Sequence, residues 1–433
     1  MASTQPQDPL PWVARTLMPR EVGANAFMAV ALGALEGGLV GVIVKTRFEA
    51  VGEPLLINMT VALVAGAPAL ANLASLTIAG MAHGKDKPRW VAALMAIAAL
   101  ALLGIALAPV HAAGLVLLTV CMIAGRLAWA GVVTLRSAIW RANFPRHVRA
   151  RITGRITVTF SLIMASTAGV VGLTMEWWDD AYRVAYPLAA AMGLWAALRY
   201  RRTRLRQAGR ILREEQDSTP DSAPVGIRAI LGILRNDVWY RRYMVTMFVF
   251  GSGNLMVIAL LVIILNEQFG FGRFHQVLVT TTLPLLMVAV FTPLWARRFD
   301  RIHILDYRAR HSWTFVFALG LFALASITGL VALFWLGALA LGAAFAGGQL
   351  GWNLGHNDFA TDAQSTLYMG IHVTLTGLRG LLAPLAGVAG YQLLESVEPG
   401  LGRYILLFPF ALTVGGAFTF IHLARKRRRE ISQ

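Results

Sequence analysis

Twelve stretches of the chain are mainly apolar over roughly 20 residues, the length that an α-helix needs to cross the hydrocarbon core of a membrane. They lie near 22–44, 54–81, 90–109, 114–137, 156–175, 184–198, 244–265, 276–296, 313–333, 334–352, 366–390 and 402–424. Backbone polar groups find no water partners in lipid, so segments of this kind cross membranes as helices. The sequence therefore predicts an all-α membrane protein with 12 transmembrane helices.

The composition excludes a soluble protein of this size. Charged residues make up 14% of the chain and hydrophobic residues 57%, whereas a soluble domain carries about 25% charged residues. Cys121 is the only cysteine, which excludes a disulfide framework. The net charge of +17 would indicate nucleic-acid binding in a soluble protein, but its distribution along this chain has another meaning.

The basic residues predict the orientation of the chain. If both termini are cytoplasmic, 31 of the 39 lysines and arginines fall in cytoplasmic segments and 5 in the opposite loops. This asymmetry is typical of membrane proteins, in which cytoplasmic loops carry the positive charge. We therefore expect a multi-pass protein of the bacterial inner (plasma) membrane. Its arginine-rich segments are expected to contact anionic lipids and not nucleic acid.

The longest polar segment divides the chain into two halves of six spans each. The predicted organisation comprises a cytoplasmic lead-in at 1–21, a six-helix bundle at 22–198, a basic cytoplasmic linker at 199–243, a second six-helix bundle at 244–424 and a basic tail at 425–433.

The two halves share a faint internal repeat. The sequence Ala-Gly-Val-Val-Gly at 168–172 returns as Ala-Gly-Val-Ala-Gly at 386–390, 218 positions later. Two further pairs lie at offsets of 222 and 214, namely Ala124-Gly125 with Ala346-Gly347 and Asp86 with Asp300. Similar offsets indicate a duplicated six-span unit, which is an architecture of secondary transporters. The two bundles are therefore predicted to be pseudo-symmetric.

The chain resembles the major facilitator superfamily in its six-plus-six spans, long basic linker and loop motifs. That family carries Gly-x-x-x-Asp-Arg/Lys-x-Gly-Arg/Lys after span 2; here the loop runs from Gly80 through Asp86, with its aspartate two positions late. The copy after span 8 contains Asp300 and Arg301. The resemblance implies that Asp86, Asp300 and Arg301 latch the two halves together and release them during alternating access.

Of the charged residues within the spans, where ionisable groups are costly and mark functional pathways, three stand out. They are Glu36 in span 1, Arg126 in span 4 and Arg379 in span 11. The resemblance implies that all three face one central cavity. Two arginines against one glutamate favour an anionic solute, because guanidinium groups bind carboxylate or phosphate in bidentate fashion. Apolar neighbours favour the protonated form of Glu36, which suits a proton carrier. The alternative is a structural ion pair between Glu36 and one of the arginines.

Further polar residues are candidates for the cavity wall. Asn254 follows two glycines in span 7. Near the end of span 10, Gln349, Asn353 and either His356 or Asn357 recur at a spacing that places them on one helical face. His356 is the candidate pH-sensitive group, since imidazole titrates near neutral pH. The alternative for this cluster is an ordered helix end. Pro384 in span 11 is predicted to bend that helix during gating.

Together these features predict a secondary active transporter that moves a small solute, an organic anion, by alternating access with proton coupling. A phosphate-binding GxxxxGK[ST] loop and cysteine–histidine spacings typical of metal sites are missing from the sequence. We therefore expect a monomeric protein that is not an enzyme and needs no cofactor or metal. The alternatives are an exporter of hydrophobic drugs, a membrane enzyme, or a non-transporting scaffold that retains a transporter fold. Drug antiporters of the family carry a Gly-Pro pair in span 5, and this pair is absent from span 5 of this chain.

Overall fold

The computed structural model describes residues 12–217, 227–299, 301–361 and 364–432. Within these residues, 11 helices are long and apolar enough to cross a membrane. The twelfth helix is span 6, Tyr182–Arg201, whose 20 residues have the length of a membrane span. Arg183, Arg199 and Arg201 at its ends make it more polar than the others. The prediction of an all-α membrane protein with 12 spans is confirmed.

The spans of the first half comprise Trp12–Ala34 and Gly37–Arg47 (span 1), Pro54–Leu70 and Ser75–Met81 (span 2), Lys87–Leu107 (span 3), Ala112–Asn143 (span 4), Arg146–Trp177 (span 5) and Tyr182–Arg201 (span 6). Those of the second half comprise Val238–Glu267 (span 7), Arg273–Val277 and Leu283–Phe299 (span 8), Ile304–Thr328 (span 9), Ala332–Leu354 (span 10), Ser365–Val397 (span 11) and Leu407–Ser432 (span 12). A π-helical turn, Leu278–Thr282, joins the two parts of span 8.

Several helices extend beyond their apolar segments. Span 7 begins at Val238 rather than 244, span 9 begins at Ile304 rather than 313, and span 12 continues through the basic tail. The described part of the linker contains two short helices, Ala208–Gln216 and Ile227–Asn236. Hydropathy locates the lipid-crossing part of a helix, whereas the helix continues until a capping residue or a breaker ends it.

Local backbone chemistry fixes two of the helix ends. Gly329 ends span 9 with φ +76°, a left-handed conformation that glycine adopts without steric cost. This residue separates spans 9 and 10, whose apolar segments are continuous in sequence. Asp86 caps the start of span 3, where its carboxylate accepts a hydrogen bond of 3.1 Å from the amide of Arg89.

The helices form two bundles with the same internal packing. In the first half, span 3 packs on spans 4 and 6, and span 1 packs on spans 5 and 6. In the second half, span 9 packs on spans 10 and 12, and span 7 packs on spans 11 and 12. Each pair in the first bundle thus has its counterpart six spans later, as the internal repeat predicts. The bundles meet where span 2 packs on span 11 and span 5 packs on span 8.

The molecule has two ends, which we name by the chain termini. The terminal face carries the start of span 1, the end of span 12 and the described helices of the linker, and the distal face is the opposite end. Linker residue Glu215 binds Lys87 and accepts a hydrogen bond of 3.1 Å from the amide of Gly84. The linker is therefore tied to the first bundle at the loop between spans 2 and 3.

Candidate functional site

Span 1 is interrupted in the middle of the bundle, and this break positions a carboxylate. Glu36 is extended, with φ −77° and ψ 136°, between the two helices of the span. Gly37 lies against the backbone of span 2, and Gly38 lies against Thr280 and Thr281 in the π-helical turn of span 8. A side chain at either glycine would collide with these neighbours, so the glycines allow the close contact that holds the break in place.

The break brings together two of the charged residues that the sequence singled out. A guanidinium nitrogen of Arg126 lies 3.3 Å from a carboxylate oxygen of Glu36, an ion pair between spans 4 and 1. The Glu36 side chain is 23% exposed and the Arg126 side chain 11%. The pair is therefore largely removed from solvent, and the carboxyl group is the more exposed of the two partners.

Arg379 lies elsewhere, inside the second bundle. Its guanidinium donates hydrogen bonds to the carbonyl oxygen of Met247 and, at 2.9 Å, to the hydroxyl of Thr376. The side chain is 3% exposed, and Gly251 of span 7 provides the space for its guanidinium group. Among the described residues, no carboxylate is within ion-pair distance of Arg379. The structure thus separates Arg379 from the Glu36–Arg126 pair.

The other candidate cavity residues divide into two groups. Gln349 and Asn353 are exposed on one face of span 10, where the Asn353 amide donates a 2.8 Å hydrogen bond to the Gln349 carbonyl. Asn254 is 8% exposed and faces Thr413 of span 12 at 3.5 Å. His356 is 5% exposed, near the end of span 10. Asn254 and His356 therefore lie within the second bundle.

The residues of the expected latch do not meet in the described part of the chain. Asp86 forms an ion pair of 3.1 Å with Arg89, its neighbour on span 3. Arg301 is exposed at the rim of a cavity of about 330 Å³ that is also lined by Trp295, Arg298, Ile302, Tyr307 and Arg310. Asp300 lies outside the described residues. Pro384 is inside the helix of span 11, beside Gly66 of span 2. The latch stays a prediction.

A polar network on the distal face was not predicted. The ammonium of Lys45 lies 2.5 Å from the carboxylate of Glu267, which also accepts hydrogen bonds of 2.9 Å from Asn58 and 2.6 Å from Tyr391. Lys45 is 1% exposed. The network joins spans 1 and 2 of the first bundle to spans 7 and 11 of the second. The sequence contains a signal for this contact. Lys45 and Glu267 are 222 positions apart, and the same offset relates repeated residues of the two halves.

Further contacts complete the closure of the distal face. Arg273 pairs with Asp179 at 2.8 Å, and the amide of Phe274 donates a hydrogen bond of 3.0 Å to Glu176. Both contacts join the two bundles, at spans 5 and 8. The distal half of span 7 is completely buried from Leu260 to Leu265. The space around the Glu36–Arg126 pair is therefore closed on the distal side.

Two pseudo-symmetric six-helix bundles, with a polar break between them and one closed face, define the secondary-transporter class of membrane proteins. The chain belongs to the Major Facilitator Superfamily, whose family model matches residues 26–429. Members of this family carry small solutes across membranes. No curated protein matches the chain in sequence.

Solved transporter structures share the fold at low sequence identity. The nucleoside transporter NupG superposes with a TM-score of 0.71 at 12% identity, covering 94% of this chain and 98% of that one. The partially occluded inward-open xylose transporter XylE from E. coli gives 0.66 at 14% identity, with coverage of 94% and 97%. The human organic anion transporter MFSD10 gives 0.59 at 17% identity, with coverage of 93% and 100%. These likenesses establish the fold.

Proposed function

We propose that the protein is a proton-coupled transporter of an organic anion, and that the Glu36–Arg126 pair is the coupling element. The observation that carries this proposal is the ion pair itself, at 3.3 Å beside the break of span 1. A carboxylate that partners an arginine at membrane depth competes directly with the carboxylate of a solute for the same guanidinium.

The competition provides a coupling mechanism. When Glu36 binds a proton, it becomes neutral and no longer balances the charge of Arg126. A solute carboxylate then forms the charge-assisted hydrogen bonds that Glu36 has released. When Glu36 loses its proton, the internal ion pair re-forms and expels the solute. Arginine suits this exchange because its guanidinium remains charged throughout.

The exposed Gln349 and Asn353 support a polar wall for the same cavity, because their side chains lie on one face of span 10. The predicted cavity roles of Asn254, Arg379 and His356 stay predictions, since those side chains lie within the second bundle. Pro384 is placed where spans 2 and 11 meet, and we infer that it bends span 11 as the halves rock.

The closed distal network supports an inward-facing state in which the terminal face is cytoplasmic. Opening of the distal face would then separate Lys45 from Glu267, and Asp86, Asp300 and Arg301 would hold the opposite face shut. We place the protein in a bacterial inner membrane. Arginines around the cavity at Arg298, Arg301 and Arg310 support contact with anionic lipid head groups on the cytoplasmic side.

The test is flux in reconstituted vesicles carrying a pH gradient, with a panel of mono- and dicarboxylates. Wild type is expected to accumulate an anion with the gradient, and Glu36→Gln to lose accumulation while retaining exchange of labelled for unlabelled solute. The matched control is Glu53→Gln, an exposed glutamate at the start of span 2, which leaves accumulation unchanged.

Three outcomes contradict the proposal. Full gradient-driven accumulation by Glu36→Gln removes that residue from coupling. Transport of lipophilic drugs in place of carboxylates assigns the protein to the exporter class. Absence of flux across the whole panel, with Arg126→Ala as stable as wild type, indicates a scaffold.

A further inference from the structure

A second group of charged and polar side chains is buried inside the second bundle. Arg308 of span 9, Arg379 of span 11 and Tyr243 of span 7 are 2%, 3% and 0% exposed. The Tyr243 hydroxyl lies close to the Arg308 guanidinium, with Arg379 and the carboxylate of Asp358 as further charged groups near it. The ring of His372, fully buried on span 11, lies 6.5 Å from that of Tyr243. Ser312 follows Arg308 by four residues and shares its helical face. We call Tyr243, Arg308, Ser312, His372 and Arg379 the buried basic cluster.

The cluster is rich in hydrogen-bonding atoms that have no partner in the described part of the chain. These atoms are the Tyr243 hydroxyl, Arg308 Nε, the Ser312 hydroxyl, both ring nitrogens of His372 and Arg379 Nε. Buried polar atoms are normally hydrogen-bonded, because an unpaired one forfeits its hydration without compensation. Six such atoms on three neighbouring helices indicate a ligand that accepts hydrogen bonds.

The charge of the cluster also indicates a bound ligand. Arg308 donates to the carbonyl oxygen of Gly348 at 3.4 Å, and Arg379 donates to a carbonyl and a hydroxyl. These partners are neutral, and within the described ranges neither arginine has a carboxylate at ion-pair distance. The nearby acids are engaged elsewhere: Asp306 binds Arg428, and the exposed Asp358 accepts from the amide of Ile304. Two buried positive charges without a counter-charge are strongly unfavourable.

The fold makes room for these guanidinium groups. A side-chain carbon on Gly351 of span 10 would lie 2.9 Å from the central carbon of the Arg308 guanidinium, and one on Gly251 would collide with Arg379. Spans 7 and 10 thus have a glycine at the position where each guanidinium group packs against them. Burial of both arginines is therefore built into the packing of spans 7, 9, 10 and 11.

We propose that the buried basic cluster holds a small inorganic anion, of the size and charge of chloride, between Arg308 and Arg379. Five of the six unpaired atoms can donate at the same time, because a neutral imidazole carries one N–H, and a compact monoanion accepts such donors from several directions. The anion is a resident ligand that balances one of the two buried positive charges and is attracted to both. The inference concerns a site distinct from the Glu36–Arg126 pair and does not depend on which solute is transported.

The first test measures the thermal unfolding temperature of the purified full-length protein in chloride and in gluconate at constant ionic strength. In chloride, the unfolding temperature of wild type is expected to rise by roughly 1–3 °C for each tenfold increase in concentration, as for any ligand that binds the folded state. Arg308→Gln removes one of the two charges, and its unfolding temperature is expected to be the same in both salts. Equal unfolding temperatures for wild type in chloride and gluconate overturn the proposal.

A second variant supplies the negative charge from within the chain. Ser312→Asp places a carboxylate one helical turn from Arg308, and we expect it to unfold in gluconate at the temperature that wild type reaches in chloride. The matched control is Ser326→Asp on the same helix, since Ser326 is also buried, at 1% exposure, but binds the carbonyl oxygen of Arg403. That control is expected to unfold at a lower temperature in both salts. If Ser312→Asp is destabilised in both salts as well, the cluster does not require an anion.

Discussion

For a single charged residue inside a membrane span, the consequence of its charge depends on which helices pack against it. Glu36, Arg126 and Arg379 are conspicuous because charge is rare inside apolar segments, and one of the two possible ion pairs of Glu36, that with Arg126, is present. Arg308 was not among the predicted site residues, because its position in the sequence groups it with the other arginines of a predicted cytoplasmic loop. Its burial depends on where span 9 begins and on a glycine in span 10, which no local pattern in the sequence reveals.

His303 gives the prediction that belongs to this scale. Its ring nitrogen Nδ1 accepts a hydrogen bond of 3.2 Å from the amide of Leu305 and so caps span 9. Burial of the ring, together with the positive charge of Arg427, lowers the pKa of His303 below its usual 6.5, although Asp358 and Asp306 oppose the shift. Below pH 6.5 the unfolded chain therefore binds this proton more readily than the folded one, and stability falls as the solution is acidified.

Replacement by asparagine tests the contribution of this proton. Asparagine is a good helix cap without a titratable group, so His303→Asn is expected to match wild type at pH 7.5 and to lose less stability between pH 7.5 and 5.5. The measurement is the thermal unfolding temperature at the two pH values. A variant that loses as much stability on acidification as wild type does would show that His303 does not bind the proton responsible.

At the scale of helices, the lipid-crossing segments are predictable because their length is set by the membrane. The ends of the helices are less predictable. Span 9 extends nine residues towards the terminal face beyond its predicted start at 313, since the bundle buries the polar residues of that turn. The break in span 1 was also missed, because Gly37 and Gly38 are as compatible with a continuous helix as with a tight contact. The neighbouring turn of span 8, which packs against Gly38, determines that span 1 is interrupted here.

The interface between spans 2 and 11 carries the prediction for this scale. A side-chain carbon on Gly66 would collide with the carbonyl oxygen of Gly380 and press on Pro384. Gly66→Ala is therefore expected to lower the free energy of unfolding by about 1–3 kcal/mol, the usual cost of overpacking. Gly415→Ala on span 12 is the control, because nothing lies within 4 Å of the added carbon. It is expected to be neutral or slightly stabilising, since alanine favours the helix. Equal stability of the two variants would mean that the bundles do not pack as closely as described.

At the scale of the whole molecule, the repeat and the charge asymmetry carry most of the predictive information. The repeat predicts two equivalent bundles, and the packing of the spans agrees with it pair by pair. Which face is closed is not predictable from such patterns, because alternating access uses one sequence for two arrangements of nearly equal free energy. The contacts that select between them, such as Lys45 with Glu267, connect residues that are distant in the chain.

The distal network should control the balance between the two arrangements. In the closed state Lys45 is 1% exposed, and its charge is balanced by Glu267. Glu267→Gln removes the closer partner of the buried ammonium and leaves only Glu49, whose exposed carboxylate lies 3.5 Å away. The closed state is thereby destabilised, whereas the open state would return that ammonium to water. Each 1.4 kcal/mol changes the ratio of the two states by about tenfold, so the variant is expected to populate an opened distal face.

Distances between spin labels can report this shift. In a Cys121→Ser background, labels at Glu53→Cys and Val397→Cys mark the distal ends of spans 2 and 11, where both positions are exposed. Wild type should give one short distance, and Glu267→Gln should add a longer one. The control is Glu395→Gln, because Glu395 binds Gln268 at 2.7 Å and the amides of Gly400 and Gly402, all within the second bundle. A longer distance in that control, or none in Glu267→Gln, would mean that the Lys45–Glu267 contact does not hold the two bundles together.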